Sequence, residues 1–230
     1  MQQLTLQLAP APAPTFDSFF PARNAAAVAQ LRALAEGNEH FVYVWGAPGS
    51  GKTHLLRSFA SAAAAAGRRA RYIAPGEDVH AEPDDAVIVC DAVDKLDMVG
   101  QLALFDLFNR FRSRGGSLLA AGDRAPMELP LREDLRTRLG SGIIIRVEPL
   151  SDEEKQAALA DHALSRGIAL APEVLDYILT RAVRDMGTQM AVIDALDRVS
   201  LERKRPITLP LVREVLQLIE TAARNAAHGP

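Results

Sequence analysis

The sequence predicts an α/β fold, a five-stranded and mostly parallel sheet covered by helices on both faces, followed by a small all-helical domain. Two observations carry this. Five short apolar, β-rich runs alternate with helical stretches up to residue 150: FVYVW at 41–45, RARYIA at 69–74, AVIVCD at 86–91, SLLAAGD at 117–123 and IIIRVE at 143–148. Apolar strands separated by helices are what a parallel sheet buried on both faces requires. After Leu150 such runs stop and only helical periodicity remains. The expected organisation is an extended segment at 1–14, an α/β domain at 15–150 and a helical domain at 151–230.

In chain order, the first feature is QLTLQL, where Leu4, Leu6 and Leu8 alternate with Thr5 and Gln7 as in a half-buried strand. The APAPAP that follows cannot join a sheet, because Pro10, Pro12 and Pro14 lack amide donors. It reads as a semi-rigid spacer of roughly 3 Å per residue. TFDSFFPARN then leads into an alanine-rich helix up to Glu36, with Gly37 and Asn38 as its stop signal. In FDLFNRFRSR, the residues Leu104, Phe105, Phe108, Phe111 and Arg112 recur at helical spacing, predicting core on one side and solvated charge on the other. Past Leu150, Ser151 and Glu154 fit a capping box, and Leu159, Ala163 and Leu164 form a helical stripe. Further helices are expected at about 172–184, 188–203 and 209–226, with breaks at Gly167 and Pro206.

Composition excludes some classes. A net charge of -3 offers no broad attraction to nucleic acid, so strong sequence-specific duplex binding is not expected. The single cysteine, Cys90, cannot form an internal disulfide and reads as a small buried hydrophobe. With no leader evident, a reducing cytoplasm is the expected location. The alanine-rich FASAAAAAG falls far short of the roughly 20 residues that span a bilayer.

One motif carries chemistry. GAPGSGKT, comprising Gly46, Ala47, Pro48, Gly49, Ser50, Gly51, Lys52 and Thr53, matches G-x-x-x-x-G-K-[ST] between a strand and a helix. Glycines let backbone amides face phosphate oxygens, the lysine reaches β and γ phosphates, and the threonine hydroxyl ligates Mg²⁺. The magnesium's second carboxylate is Asp91, which ends the apolar strand AVIVCD. Many ATPases of this plan place a water-orienting glutamate next, but here the residue is Ala92. Asp94, three positions after Asp91, either substitutes in part or only begins the next helix.

These residues resemble the AAA+ ATPases of the bacterial replication-initiator group, and within it the Hda family of DnaA inactivators. The markers, spread over essentially the whole chain, are TFDSFFPARN, GKTHLL, CDAVDKL, FDLFNRF, AAGDRAP, LRTRLGSG and EPLSDEEK. The resemblance implies an AAA+ P-loop NTPase fold with a helical lid. It implies that Phe16 to Asn24, including Phe16 and Phe20, packs near the adenine, with His54 completing the nucleotide loop. Asp123 takes the sensor position, and Arg138 is an arginine finger inserted into a neighbouring subunit's site. Gln3, Leu4, Leu6 and Leu8 match a clamp-binding peptide, with Gln7 in place of its commoner proline. Gly187 stands where relatives carry a lid arginine, and Arg184 is the nearest arginine before it. The implied ligands are ADP or ATP with Mg²⁺. The implied partners are DnaA, the DNA polymerase III sliding clamp (β subunit) and a possible second copy of the chain. The implied activity is regulatory: weak or no ATP hydrolysis of its own, and stimulation of hydrolysis by DnaA. Two other classes remain open, an autonomous ATPase such as a helicase loader, and a DNA-binding replication or transposition factor.

Overall fold

The computed structural model describes residues 13–37, 40–182 and 186–227. All five apolar runs are strands: β1 Phe41–Trp45, β2 Ala70–Ile73, β3 Val87–Cys90, β4 Ser117–Gly122 and β5 Ile143–Arg146. They form one sheet in the order β2-β3-β4-β1-β5, with every pairing parallel. β3 and β4 are buried at every residue, as central strands covered on both faces must be.

The two-residue strand period sorts the side chains into two cores. On one face Val42, Val44, Val87, Val89, Leu119 and Ala121 meet helices α1 (Ala25–Glu36) and α2 (Lys52–Ala65) through residues such as Leu31, Leu55 and Phe59. On the other, Tyr43, Ile88, Cys90, Leu118 and Ala120 meet α3 (Met98–Arg114) and α4 (Glu133–Gly140) through Leu104, Phe108, Phe111, Leu135 and Leu139. The amphipathic reading of α3 holds, with Arg112 exposed. Arg110 and Arg114 instead donate to carbonyls of Ala81, Pro83 and Asp85 and lie over Phe111, so both tie the 81–85 loop to the helix.

Asn24 closes this unit. Its side chain is buried, donates to the Glu148 carbonyl at 2.9 Å and accepts from the Glu148 amide at 2.8 Å, acting as a strand partner just past β5. Asn24→Ala is expected to lower unfolding free energy by roughly 1–3 kcal/mol, because it strips two groups of their partners at once. Urea titration of the variant checks this, and an unchanged midpoint would contradict it.

The chain divides into two units, one running from Ala13 to Pro149 and the other beginning at Leu150. The second contains α5 (Asp152–Ser165), α6 (Pro172–Arg181), α7 (Met186–Arg203) and α8 (Leu209–Ala227). Ser151 and Glu154 do form a reciprocal capping box, an arrangement worth about 1 kcal/mol. Leu159, Ala163, Leu175, Ile178, Ile193, Leu196, Leu211 and Val215 make the core. Two expectations need correction. Leu164 is 61% exposed, with Ala158 buried in its stead, because the buried stripe of α5 follows i, i+4 from Leu159 to Ala163. α6 stops at Arg181, since Ala182 is already extended. Asp194 of α7 joins the helices, accepting from His162 Nε2 at 2.7 Å and from Arg166 Nε at 2.8 Å. Among the described residues no helix is long and apolar enough to cross a membrane.

Candidate functional site

Strand register brings the site together. Trp45, the last residue of β1, is level with Gly122 of β4, and Cys90 of β3 is level with Ala120. Gly46, Asp91 and Asp123 therefore leave the sheet at one edge, the carboxyl edge where parallel sheets place their sites. β1 runs from there into the loop at 46–51, and α2 begins at Lys52.

The loop is built to receive an anion. Gly46 donates to the Gly122 carbonyl at 3.4 Å, and Ser50 turns back to the Ala47 carbonyl at 3.1 Å. Gly51 has φ 94°, and a Cβ there would fall 2.7 Å from the Phe19 ring, so this position demands glycine. α2 has no acidic residue in its first turn and no side-chain cap, leaving its opening amides and positive dipole end uncovered. The Ser50 hydroxyl is buried without a partner among the described residues. Such a combination fits a polyphosphate.

Lys52 is nearly buried and fully engaged. Its Nζ donates to the carbonyls of Gly46 at 2.7 Å and Ala47 at 3.1 Å, and pairs with Asp123 at 3.0 Å. An arriving phosphate competes with two carbonyls, which are weaker acceptors than an anionic oxygen. Thr53 donates its hydroxyl proton to Asp91 at 2.7 Å, leaving the oxygen lone pairs for a cation. Asp91 also accepts from Tyr72 at 2.8 Å and from the Ala92 amide at 2.8 Å, which holds the carboxylate in place. Arg57 of α2 lies 4.9 Å from the Tyr72 ring. Burial, the larger cause, and the Asp91 carboxylate push the Tyr72 phenol up to about 12, so Tyr72 remains a donor. A hydroxyl and a carboxylate so placed are oxygen ligands suited to Mg²⁺ that keeps phosphate and water ligands. Cys90, next to Asp91, is pushed up to about 12 by burial and by that charge, which leaves the thiol inert.

The remaining candidates fall in different places. His54 turns toward the N-terminal segment, its Nε2 3.0 Å from the Thr15 carbonyl and 3.2 Å from Ser18 Oγ. Burial lowers its pKa, partly offset by the Thr15 carbonyl. Phe16 is buried in the sheet core beneath Arg32, and Phe20 is half-buried. Phe19 is the aromatic that meets the loop, packing edge-on to His54 at 5.4 Å and against Gly51. Arg138 stands apart from the Lys52 group on α4, its guanidinium 5.8 Å from each of the Phe105 and Phe108 rings. Gln3, Leu4, Leu6, Leu8 and Arg184 lie outside the described residues, and Gly187 is exposed in the first turn of α7. Sequence reasoning missed Phe19 and Tyr72. The aromatic segment and the β-rich run were visible, but only strand register shows that Tyr72 reaches Asp91.

The fold recurs in solved structures. Domain III of the DnaA replication initiation protein from Thermotoga maritima superposes with a TM-score of 0.69 at 19% identity, over 90% of this chain and 96% of that one. AMPPCP-bound DnaA from Aquifex aeolicus gives 0.67 at 23% identity, over 86% and 69%. Thermotoga maritima RuvB gives 0.60 at 17% identity, over 89% and 72%. The shared fold is a five-stranded parallel α/β unit followed by a helical unit, as in these AAA+ neighbours. Residues 152–216 match the family model described as Hda, lid domain. That match lies within the helical unit, and the likeness to DnaA and RuvB is one of fold.

Proposed function

We propose that this chain is a nucleotide-holding regulator that docks on ATP-bound DnaA, together with the DNA-loaded sliding clamp, and supplies Arg138 to DnaA's active site. DnaA then hydrolyses its ATP, and initiation of replication is held back. The chain acts in the cytoplasm, close to the replication machinery.

The observation that carries this reading is the state of Arg138. Its guanidinium makes no hydrogen bond or ion pair to any described residue, and two aromatic rings support it. An arginine with five open donors held on a rigid face is suited to charge developing on a transferring phosphoryl group. The match of residues 152–216 to an Hda lid domain supports DnaA as the protein that receives it.

In the chain's own site, Lys52, the amides of Gly49 and Gly51, those opening α2 and the Ser50 hydroxyl bind the phosphates of ADP or ATP. Thr53 and Asp91 hold Mg²⁺, and Asp123 stays beside Lys52 at the phosphate end. Bound magnesium supplies neutralisation of phosphate charge. Ala92 brings no carboxylate to the position after Asp91, consistent with an effect exerted on another molecule's nucleotide.

The test is to incubate ATP-loaded DnaA with DNA-loaded clamp, with and without the intact chain. Hydrolysis is expected to rise at least tenfold, with about 10³ available from a finger at the chemical step. No rise would end the proposal. In the same assay, deleting residues 1–8 is expected to remove clamp binding and most of the stimulation while nucleotide binding is unchanged, since an extended peptide would place Leu4, Leu6 and Leu8 in a groove on the clamp. Clamp binding that survives the deletion would move the assignment to another segment.

A further inference from the structure

Two arginines of the helical unit converge on one ring. Arg181 ends α6 and Arg213 lies near the start of α8, and their guanidiniums stand 6.0 Å and 5.5 Å from the centre of the Tyr177 ring. Both are exposed, and neither makes a hydrogen bond or ion pair to any described residue. The carboxylates beside Tyr177 and Arg213 in sequence are turned to other partners, Asp176 to Gln156 at 3.0 Å and Glu214 to Arg203. Stacking on a ring uses the face of a guanidinium and leaves its N–H edges open. Two like charges thus share one ring, each with its donors free.

The turn from α7 into α8 extends this surface. α7 closes in a Schellman arrangement, in which the Arg205 amide donates to the Ser200 carbonyl at 3.1 Å and the Lys204 amide to the Leu201 carbonyl at 3.4 Å. Ser200 Oγ also donates to the Arg205 carbonyl at 2.6 Å. The left-handed residue of such a turn is usually glycine, yet here Lys204 takes φ 51°. A side chain kept at a strained position by its surroundings is a feature of functional sites. Here it displays a lysine next to Arg205, both exposed. The Arg203–Glu214 pair fastens this turn to α8 beside Arg213. From 198 to 213 the chain carries five basic residues and one acidic, so this face is locally positive although the net charge is -3.

We propose that Arg181, Lys204, Arg205 and Arg213 form a site for the phosphate backbone of duplex DNA, bound without reading its sequence. Guanidinium forks match phosphate oxygens in two-point hydrogen bonds, and Lys204 adds a point charge. Such contacts fix position and carry no base information. The choice of DNA over an acidic protein rests on the proposed assembly at a DNA-loaded clamp, where duplex lies beside the chain. In that assembly the site holds the helical unit to the duplex that carries the clamp.

The test uses the full chain and a fluorescein-labelled duplex, without DnaA or clamp, so that its outcome and that of the hydrolysis assay stand apart. Intact protein is compared with the double variant Arg181→Gln/Arg213→Gln, with Lys204→Gly and with Arg112→Gln of α3. Anisotropy gives affinity across a salt series, and melting temperature reports the fold. Four phosphate contacts predict that affinity of the intact chain falls about 100-fold between about 50 and 200 mM salt. The double variant should bind at least tenfold more weakly at low salt, with the slope of log affinity against log salt reduced by about 2. Lys204→Gly should weaken DNA binding while melting no lower, because the left-handed turn suits glycine. Arg112→Gln and a duplex of shuffled sequence should each leave affinity within about twofold. The proposal is overturned if the intact chain shows no salt-sensitive binding, or if the double variant keeps the intact slope. Strong preference for one duplex sequence overturns the backbone reading, and tighter binding of polyglutamate than of duplex assigns this face to an acidic protein instead.

Discussion

Arg138→Ala is expected to abolish stimulation of DnaA-bound ATP hydrolysis, a loss of about 10³ at the chemical step. The fold should be nearly untouched, since Arg138 contributes two ring contacts, each worth about 0.5–1 kcal/mol at a partly exposed site. Binding of nucleotide to the chain itself should not change, because Lys52, Thr53, Asp91 and Asp123 share no contact with Arg138. Arg138→Lys is expected to restore little, as an ammonium lacks the planar fork and stacks poorly. Phosphate release from ATP-loaded DnaA in the presence of loaded clamp separates these outcomes. An alanine variant as active as the intact chain would show that the finger lies elsewhere, or that none is used.

Lys52→Ala is expected to weaken ATP and ADP binding at least 100-fold. Two charge-assisted hydrogen bonds to phosphate, each worth about 1.5–3 kcal/mol, account for that loss. Part of the gain on binding is offset because Lys52 must first share donors now given to Gly46, Ala47 and Asp123. The nucleotide-free variant should also leave Asp123, one third exposed, without its cation. Titration with a fluorescent nucleotide reads the effect, and so does the shift in melting temperature at saturating ATP. Affinity within threefold of the intact chain would mean that the loop does not bind phosphate through this lysine.

Both predictions begin from residues visible in the sequence, yet their surroundings were not. GAPGSGKT sits between an apolar strand and a helix, and loop, lysine and threonine follow from those eight residues. Asp91 was legible as the polar residue ending AVIVC. The partners that hold it were not: Tyr72 lies on a strand 19 residues earlier and reaches Asp91 only because β2 and β3 pair level at Ile73 and Cys90. Likewise, TFDSFF announces aromatic packing, but nothing local distinguishes Phe16, which enters the core, from Phe19, which abuts Gly51. Arg110 and Arg114 illustrate the same limit. Their charge read as solvated, whereas the 81–85 loop supplies carbonyls that bind them.

What the sequence by itself determined is the set of elements and the phosphate-binding loop, because strand period, helix period, capping and glycine placement act over a few neighbouring residues. The ends of α6 and the burial of Leu164 escaped it, since packing against other helices decides which turn is covered. Only the tertiary structure decided that Lys52 meets Asp123, and that Arg138 rests on Phe105 and Phe108 with no hydrogen bond or ion pair to any described residue. Each depends on strand register and helix docking between segments far apart in the chain, where one ångström separates a hydrogen bond from an empty acceptor.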